Sequence, residues 1–151
     1  MASKGQMTGM LGVYLAAAEL TARGFIVSPT SRSAIGADLL VTDQECRRAW
    51  SVQVKTNRKA ASFWLVGAHT GKFKSKSHIY IFVNLHGDER PEYIVVPSAF
   101  VAKHARAAQA KTGSVWYEFR KSKVAARKTE GWKLFGDPHA TSQSQLKQPS
   151  V

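Results

Sequence analysis

The amino-acid sequence predicts an α/β domain with a mixed central sheet flanked by helices. A helix-forming segment at the N-terminus is followed by several short apolar runs rich in β-branched residues. Two pairs of these runs are joined by short polar connections that favour hairpins. The chain has 151 residues, with four Trp, four Tyr and seven Phe. It is therefore the size of one domain and can form a core without metals or disulfides.

The N-terminal segment is predicted to be a helix that ends near Gly24. Ser3 and Gln6 have the spacing of a capping box, although a frayed terminus would give the same pattern. Apolar residues recur at helical spacing, and we expect them to form the buried face: Met7, Met10, Leu11, Tyr14 and Ala18.

Six apolar runs predict the strands of the sheet. They cover residues 25–28, 37–42, 49–56, 63–66, 79–85 and 92–97. The polar connections 43–48 and 86–91 predict two hairpins, the first between the second and third strands.

The C-terminal third predicts a helix over 97–113, followed by residues 115–119, which suit a strand or a helix. Residues 136–151 lose all hydrophobic periodicity and are rich in polar residues. We therefore expect one folded domain over 1–135 and a disordered tail over 136–151.

The charge is strongly one-sided, with 22 Lys and Arg against 10 Asp and Glu, a formal net charge of +12. Residues 57–78 contain five basic residues and no acidic one. An excess of this kind favours a polyanionic partner, most often nucleic acid, over a merely solvated surface.

Cysteine usage and hydropathy predict an intracellular protein. Cys46 is the single cysteine, so no internal disulfide is possible, and the first residues lack the apolar run of a secretory signal. No stretch approaches the ~18 apolar residues of a membrane span. We expect a cytoplasmic protein without a membrane partner. The five histidines lack zinc spacing, which argues against a structural zinc site.

The alternation of side chains along the second and third predicted strands identifies candidate metal-binding and catalytic residues. Ser51, Gln53 and Lys55 lie two residues apart and share one face of their strand. In a hairpin, Asp38 of the preceding strand can converge with Gln53 and Lys55. Oxygen ligands from Asp38, Gln53 and the Val54 backbone carbonyl suit Mg²⁺. A lysine beside such an ion can orient the attacking water and stabilise charge on a phosphate.

The pair GADLLV and VQVKT resembles the core of the PD-(D/E)XK, or restriction-endonuclease-like, nuclease superfamily. The preceding helix with Glu19, followed by RGF, resembles the corresponding region of the archaeal Holliday junction resolvases in that superfamily. The resemblance covers roughly residues 6 to 57. IYIFVN and EYIVVPS are similar to later strands of some bacterial and phage-type members.

This resemblance implies a restriction-endonuclease-like fold and a role for each matching residue. Asp38 would be a metal ligand, Lys55 the catalytic lysine, and Glu19 a helix carboxylate that completes the site with Mg²⁺ or Mn²⁺. Gln53 stands where the family usually has Asp or Glu, which makes the motif a QxK variant. By analogy with enzymes of this fold, a homodimer is expected.

Polar and basic residues flank the candidate site and are expected to contact DNA phosphates. They are Ser31, Arg32, Ser33, Arg58 and Lys59. Mobile loop charges would give the same pattern. Each site residue likewise has a structural alternative, such as a strand beginning at Asp38 or a solvated edge face at Gln53 and Lys55.

The sequence thus predicts a divalent-metal-dependent DNA endonuclease, with junction-resolving, restriction-type and intron-encoded homing enzymes all open. The alternative is a non-catalytic nucleic-acid-binding module on the same fold, its metal site eroded at Gln53. A basic protein-interaction domain is a third possibility, which the charge disfavours.

Overall fold

The structure, a computed structural model, describes residues 1–31, 36–72, 74–125 and 131–140. Three helices cover Lys4–Ala22 (α1), Ser98–His104 (α2) and Ser122–Ala125 (α3). The strands are Ile26–Pro29 (β1), Leu39–Thr42 (β2), Ala49–Asn57 (β3), Phe63–Val66 (β4), His78–His86 (β5), Glu89–Pro97 (β6), Arg106–Gln109 (β7) and Val115–Arg120 (β8). Two 3₁₀ turns cover Ala68–Lys72 and Gly131–Phe135.

The main sheet has five strands in the order β1-β2-β3-β5-β6. β3 and β5 run parallel, and the other neighbours are antiparallel, so the sheet is mixed. A smaller antiparallel sheet has the order β4-β8-β7. The predicted α/β class with a mixed central sheet is confirmed, as are both predicted hairpins, β2–β3 and β5–β6.

The two faces of the main sheet form separate cores. α1 and the turn around Phe135 cover one face, where Leu20, Val52 and Ile81 are buried. On the other face the small sheet and α2 pack over Tyr80 and Phe82 of β5. β3 therefore has an apolar face under α1 and a more polar face, with Ser51, Gln53 and Lys55, on the opposite side.

The buried face of α1 differs from the one predicted. Met7, Leu11 and Tyr14 are exposed, whereas Gly12, Ala16 and Leu20 are buried. α1 is apolar on nearly every side, so periodicity alone could not select a face. The buried face contains the small residues Gly12 and Ala16 because they allow the helix to approach β3 closely. The capping box is present: the backbone N–H of Gln6 donates to Ser3 Oγ at 3.2 Å, and the backbone N–H of Ser3 donates to Gln6 Oε1 at 2.8 Å.

The helix predicted over 97–113 is wrong beyond His104. α2 stops there, and Arg106–Gln109 forms β7, which pairs with β8. Pairing with β8 overrides the helix propensity of the alanine-rich segment. The ambiguous segment 115–119 is accordingly a strand.

The described part of the predicted tail contacts the domain. Gln44 donates its backbone N–H to the Pro138 carbonyl at 3.0 Å, and the side chains of Arg47 and Arg48 donate to the carbonyls of Ala140 and Asp137. Residues 141–151 lie outside the described residues. Among the described helices, none combines the length and apolar character needed to cross a bilayer.

Candidate functional site

The register of the β2–β3 hairpin creates an open edge beside Asp38. β2 pairs with β3 from Thr42–Ala49 as far as Leu39–Val52, so the C-terminal half of β3 runs past the beginning of β2. The Asp38 amide extends the ladder with a 2.7 Å hydrogen bond to the Val52 carbonyl. Asp38 therefore stands where the two strands diverge.

The Asp38 carboxylate is held against β3 by two donors. One oxygen, Oδ2, accepts from the Val54 amide at 2.7 Å and from Nε2 of Gln53. Since Val52 presents its carbonyl to β2 and alternate residues of a strand face the same neighbour, the Val54 carbonyl faces that side too. Of the three residues predicted to converge, Asp38 and Gln53 are thus joined by a hydrogen bond.

A cleft of about 350 Å³ opens between this edge and the N-terminal half of α1. β3 contributes Gln53, Val54 and Lys55 to its wall, and the β1–β2 connection contributes Asp38 and Ser31. The α1 wall consists of Gln6, Gly9, Met10, Val13 and Tyr14. Asp38 is the single carboxylate among the lining residues.

Lys55 lines the cleft and forms no ion pair within the described part of the chain. Its ammonium is therefore available to a ligand. Arg58 and Lys59 are exposed immediately after β3, outside the lining residues. Arg32 and Ser33, also predicted as DNA contacts, lie outside the described residues.

The structure does not bring Glu19 to this cleft. Its carboxylate forms ion pairs with Arg23, one turn further along α1, and with Arg90 of β6 at 3.3 Å. Burial opposes ionisation of Glu19, but hydrogen bonds and charge from Arg23 and Arg90 outweigh it and lower the Glu19 pKa. Glu19 is thus on the side of α1 that faces β6, and it is absent from the residues that line the cleft.

The donor set around Asp38 fits an ion that takes most of its ligands from water and substrate. Within the described residues, no three His, Cys, Asp or Glu side chains are grouped so as to hold a metal. Asp38 Oδ1 accepts no hydrogen bond from those residues, and rotation of the Gln53 amide would present Oε1 instead of Nε2. Mg²⁺ needs one or two carboxylates plus substrate phosphates rather than a full protein cage. A Mg²⁺ or Mn²⁺ ion is therefore compatible with this site.

Sequence reasoning missed the α1 wall of the cleft and Tyr80. The helical pattern assigns Gln6 to the cap and Tyr14 to the core, although Gln6, Met10 and Tyr14 recur at four-residue spacing and so share a helix side. Tyr80, opposite Gln53 in the β3–β5 register, has a raised pKa because it is buried and because the negative charge of Asp38 acts on it.

Asp43, the other acidic residue close to β2, has a structural role at the opposite end of that strand. Its carboxylate accepts from the backbone amides of Arg47 and Arg48 and pairs with the Arg48 side chain at 3.0 Å. The hydrogen bond from Arg48 lowers the pKa of Asp43 despite its desolvation. Asp43 therefore orders the β2–β3 turn.

No protein-family model and no curated protein sequence matches this chain. Among solved structures, it is similar to Hjc, a Holliday junction resolvase from the archaeal hyperthermophile Archaeoglobus fulgidus, with a TM-score of 0.47 and 10% identity. That match covers 78% of this chain and 88% of the other. A bacterial homing endonuclease matches with a TM-score of 0.45 and 14% identity, over 91% of this chain and 87% of the other. At these values neither similarity supports an argument about activity.

Proposed function

We propose that this protein is a divalent-metal-dependent DNA endonuclease whose active site is the Asp38 cleft. One observation carries the proposal: Gln53 donates a hydrogen bond to the Asp38 carboxylate, and Lys55 lines the same open cleft, at the point where two strands diverge. The net charge of +12 supports DNA as the substrate.

Each residue has a definite task in this proposal. Asp38 supplies the negative charge that holds a cation, and the hydrogen bond from the Val54 amide fixes one of its oxygens. Lys55 Nζ donates hydrogen bonds to phosphate oxygens and to the attacking water, which stabilises the charge that develops on the phosphate. A bound divalent ion would lower the pKa of a water ligand and neutralise phosphate charge.

The scarcity of carboxylates has a consequence for metal binding. Asp38, the amide oxygen of Gln53 and the Val54 carbonyl would hold the ion, with DNA phosphate oxygens completing its shell. Because the protein supplies one negative charge here, we expect weak binding of Mg²⁺ without DNA and stronger binding in the protein–DNA complex.

The proposal is tested by cleavage of duplex, branched and single-stranded DNA with Mg²⁺, Mn²⁺ or Ca²⁺. Asp38→Asn and Lys55→Met are expected to lower the cleavage rate at least 100-fold while DNA affinity stays within about threefold, because many cations share the affinity. Asp88→Asn, at an exposed β5–β6 turn, is the matched control for loss of a carboxylate. Wild-type cleavage by Asp38→Asn, in protein free of contaminating nuclease, would reject the site.

A non-catalytic DNA-binding module is the second candidate, and the single carboxylate of the cleft favours it. It predicts DNA binding that does not depend on Mg²⁺ and the absence of cleavage with every metal tested.

The panel of DNA substrates also separates the types of nuclease. Preference for branched DNA supports a junction-resolving enzyme, and cleavage of one duplex sequence supports a restriction-type or homing enzyme. Sedimentation with and without DNA tests the proposed dimer.

A further inference from the structure

A second pocket, of about 330 Å³, lies on the polar face of β3, next to the Asp38 cleft. Its lining includes Lys72, Lys74 and Ser75 from the segment before β5, together with Ser51 of β3 and His78 of β5. We call it the Lys72–Lys74 pocket. Gly36 and Ala37, which directly precede Asp38, complete the described lining. The two cavities thus share the approach to β2 but none of their lining residues.

The chemistry of the Lys72–Lys74 pocket favours an anion. Two lysines line it, both are exposed, and the described residues of its lining include no carboxylate. The described ion pairs of the chain do not involve either lysine. Lys72 and Lys74 therefore carry charge that no ion pair among the described residues neutralises, at a concave surface where an oxyanion fits.

A buried serine–histidine pair supplies the neutral floor of the pocket. Ser51 Oγ lies 2.6 Å from Nδ1 of His78, and the His78 side chain is buried. Burial lowers the His78 pKa, so the ring is neutral at pH 7. In the tautomer with the proton on Nδ1, His78 donates to Ser51 Oγ, and the Ser51 hydroxyl proton is left for a ligand oxygen.

The position of Ser51 relates this pocket to the Asp38 cleft. Ser51 and Gln53 are two residues apart on one face of β3, which corresponds to roughly 6.6 Å along the strand. We propose that the Lys72–Lys74 pocket binds a backbone phosphodiester of the same polynucleotide strand that enters the Asp38 cleft. This inference rests on the DNA-binding part of the proposed function but is independent of cleavage.

A phosphodiester fits the pocket better than a base. Lysines bind phosphate as point charges, and serine hydroxyls are common phosphate donors. Among the described residues of the lining, His78 is the one aromatic ring, and it is buried, as is Tyr80, which packs against it. The contact would fix the position of the strand without reading its sequence.

The test is fluorescence anisotropy of labelled duplex and single-stranded DNA, with EDTA present to prevent cleavage, over a series of salt concentrations. Loss of two phosphate contacts in Lys72→Ala/Lys74→Ala should reduce the slope of log K against log salt by about 1.8 on duplex DNA. The control is Lys103→Ala/Lys111→Ala, which removes the same charge from exposed positions on α2 and the β7–β8 turn. Equal slopes for both double variants would overturn the proposal.

Ser51→Ala tests the floor of the pocket separately. It should weaken DNA binding about tenfold and leave the salt slope unchanged, because a neutral donor is lost and no counterion contact changes. Unchanged affinity would show that the strand does not reach Ser51, contrary to the proposal. Thermal melting checks that each variant folds; the two lysines are exposed, so their removal leaves the core intact.

Two further arms identify the ligand and separate the proposals. Phosphorus-31 NMR with inorganic phosphate reports a free-anion site: phosphate binding that the lysine variant abolishes, together with an unchanged DNA slope, would overturn the polynucleotide assignment. Cleavage by the wild-type protein is assayed in parallel with Mg²⁺. A slope change in the lysine variant without any Mg²⁺-dependent cleavage by the wild type retains the pocket and rejects the endonuclease, whereas wild-type cleavage with an unchanged slope retains the endonuclease and rejects the pocket.

Discussion

The contact between Gly12 and Thr56 sets how closely α1 approaches β3, and Gly12→Ala tests it. A Cβ at residue 12 would lie 1.7 Å from Thr56 Oγ1, 2.9 Å from its Cγ2 and 2.8 Å from its Cβ. Rotation of the Thr56 side chain relieves the first two contacts but not the third. The backbone of α1 or β3 must therefore shift.

Two opposing effects determine the size of the change. Alanine is favoured over glycine in a helix by roughly 1 kcal/mol. Overpacking of a close contact costs about 1–3 kcal/mol, or more where backbone must move. We expect Gly12→Ala to lower the free energy of unfolding by about 2 kcal/mol, which corresponds to a fall in Tm of roughly 4–8 °C for a chain of this length.

Gly9 provides a matched control on the same helix. A Cβ at residue 9 meets nothing within 4 Å, so Gly9→Ala shows the helix preference alone and should stabilise by about 0.5–1 kcal/mol. Urea unfolding of both variants gives the difference directly. Combining Gly12→Ala with Thr56→Ala should recover part of the loss but not all, because the Cβ contact remains. A Gly12→Ala protein as stable as Gly9→Ala would refute the close-contact argument.

Three residues carry the remaining predictions. Gln53→Glu should lower the free energy of unfolding at pH 7 by about 1.5–3 kcal/mol, because a carboxylate replaces the donor to Asp38; Mg²⁺ should reverse the loss and bind more tightly by calorimetry. Equal Mg²⁺ affinity in wild type and Gln53→Glu would contradict a metal site here. Glu19→Ala should cost about 1 kcal/mol in urea unfolding and leave DNA cleavage within twofold, since its partners are two arginines; a loss as large as that of Asp38→Asn would contradict this. Because burial lowers the His78 pKa, the unfolded state binds its proton first as pH falls below about 6.5, so stability should decrease toward pH 5. His78→Gln should reduce that decrease in parallel urea titrations, and an identical pH dependence would refute the assignment.

The sequence alone determined which side chains share a face of each strand. Alternation in β3 places Ser51, Gln53 and Lys55 on one face whatever the rest of the fold does, because side chains of a strand point to opposite faces with a period of two. The polar connection 43–48 predicts the hairpin that brings Asp38 beside β3. The strand pattern and the hairpin together are therefore sufficient to name Asp38, Gln53 and Lys55, the three residues that define the candidate site.

The position of α1 was decided by tertiary packing. The buried face of an amphipathic helix can be predicted from its sequence, but α1 is apolar on nearly every side. The face that packs on the sheet is the one where Gly12 allows close approach to β3. The orientation of α1 about its own axis then directs Glu19 to Arg90 and places Gln6 and Tyr14 on the cleft. A sequence pattern cannot give this rotation because it depends on contacts with β3.

Long-range pairing likewise decided what local propensity left open. The composition of residues 106–109 favours a helix. In the structure their backbone groups form hydrogen bonds with β8 instead, and a helix would have left that edge of β8 unpaired. The Lys72–Lys74 pocket arises in the same way, from residues on β3, β5 and the turn before β5. The sequence by itself determined the faces of individual strands and the excess of positive charge; the tertiary structure decided which faces meet, because that choice depends on contacts between residues far apart in the chain.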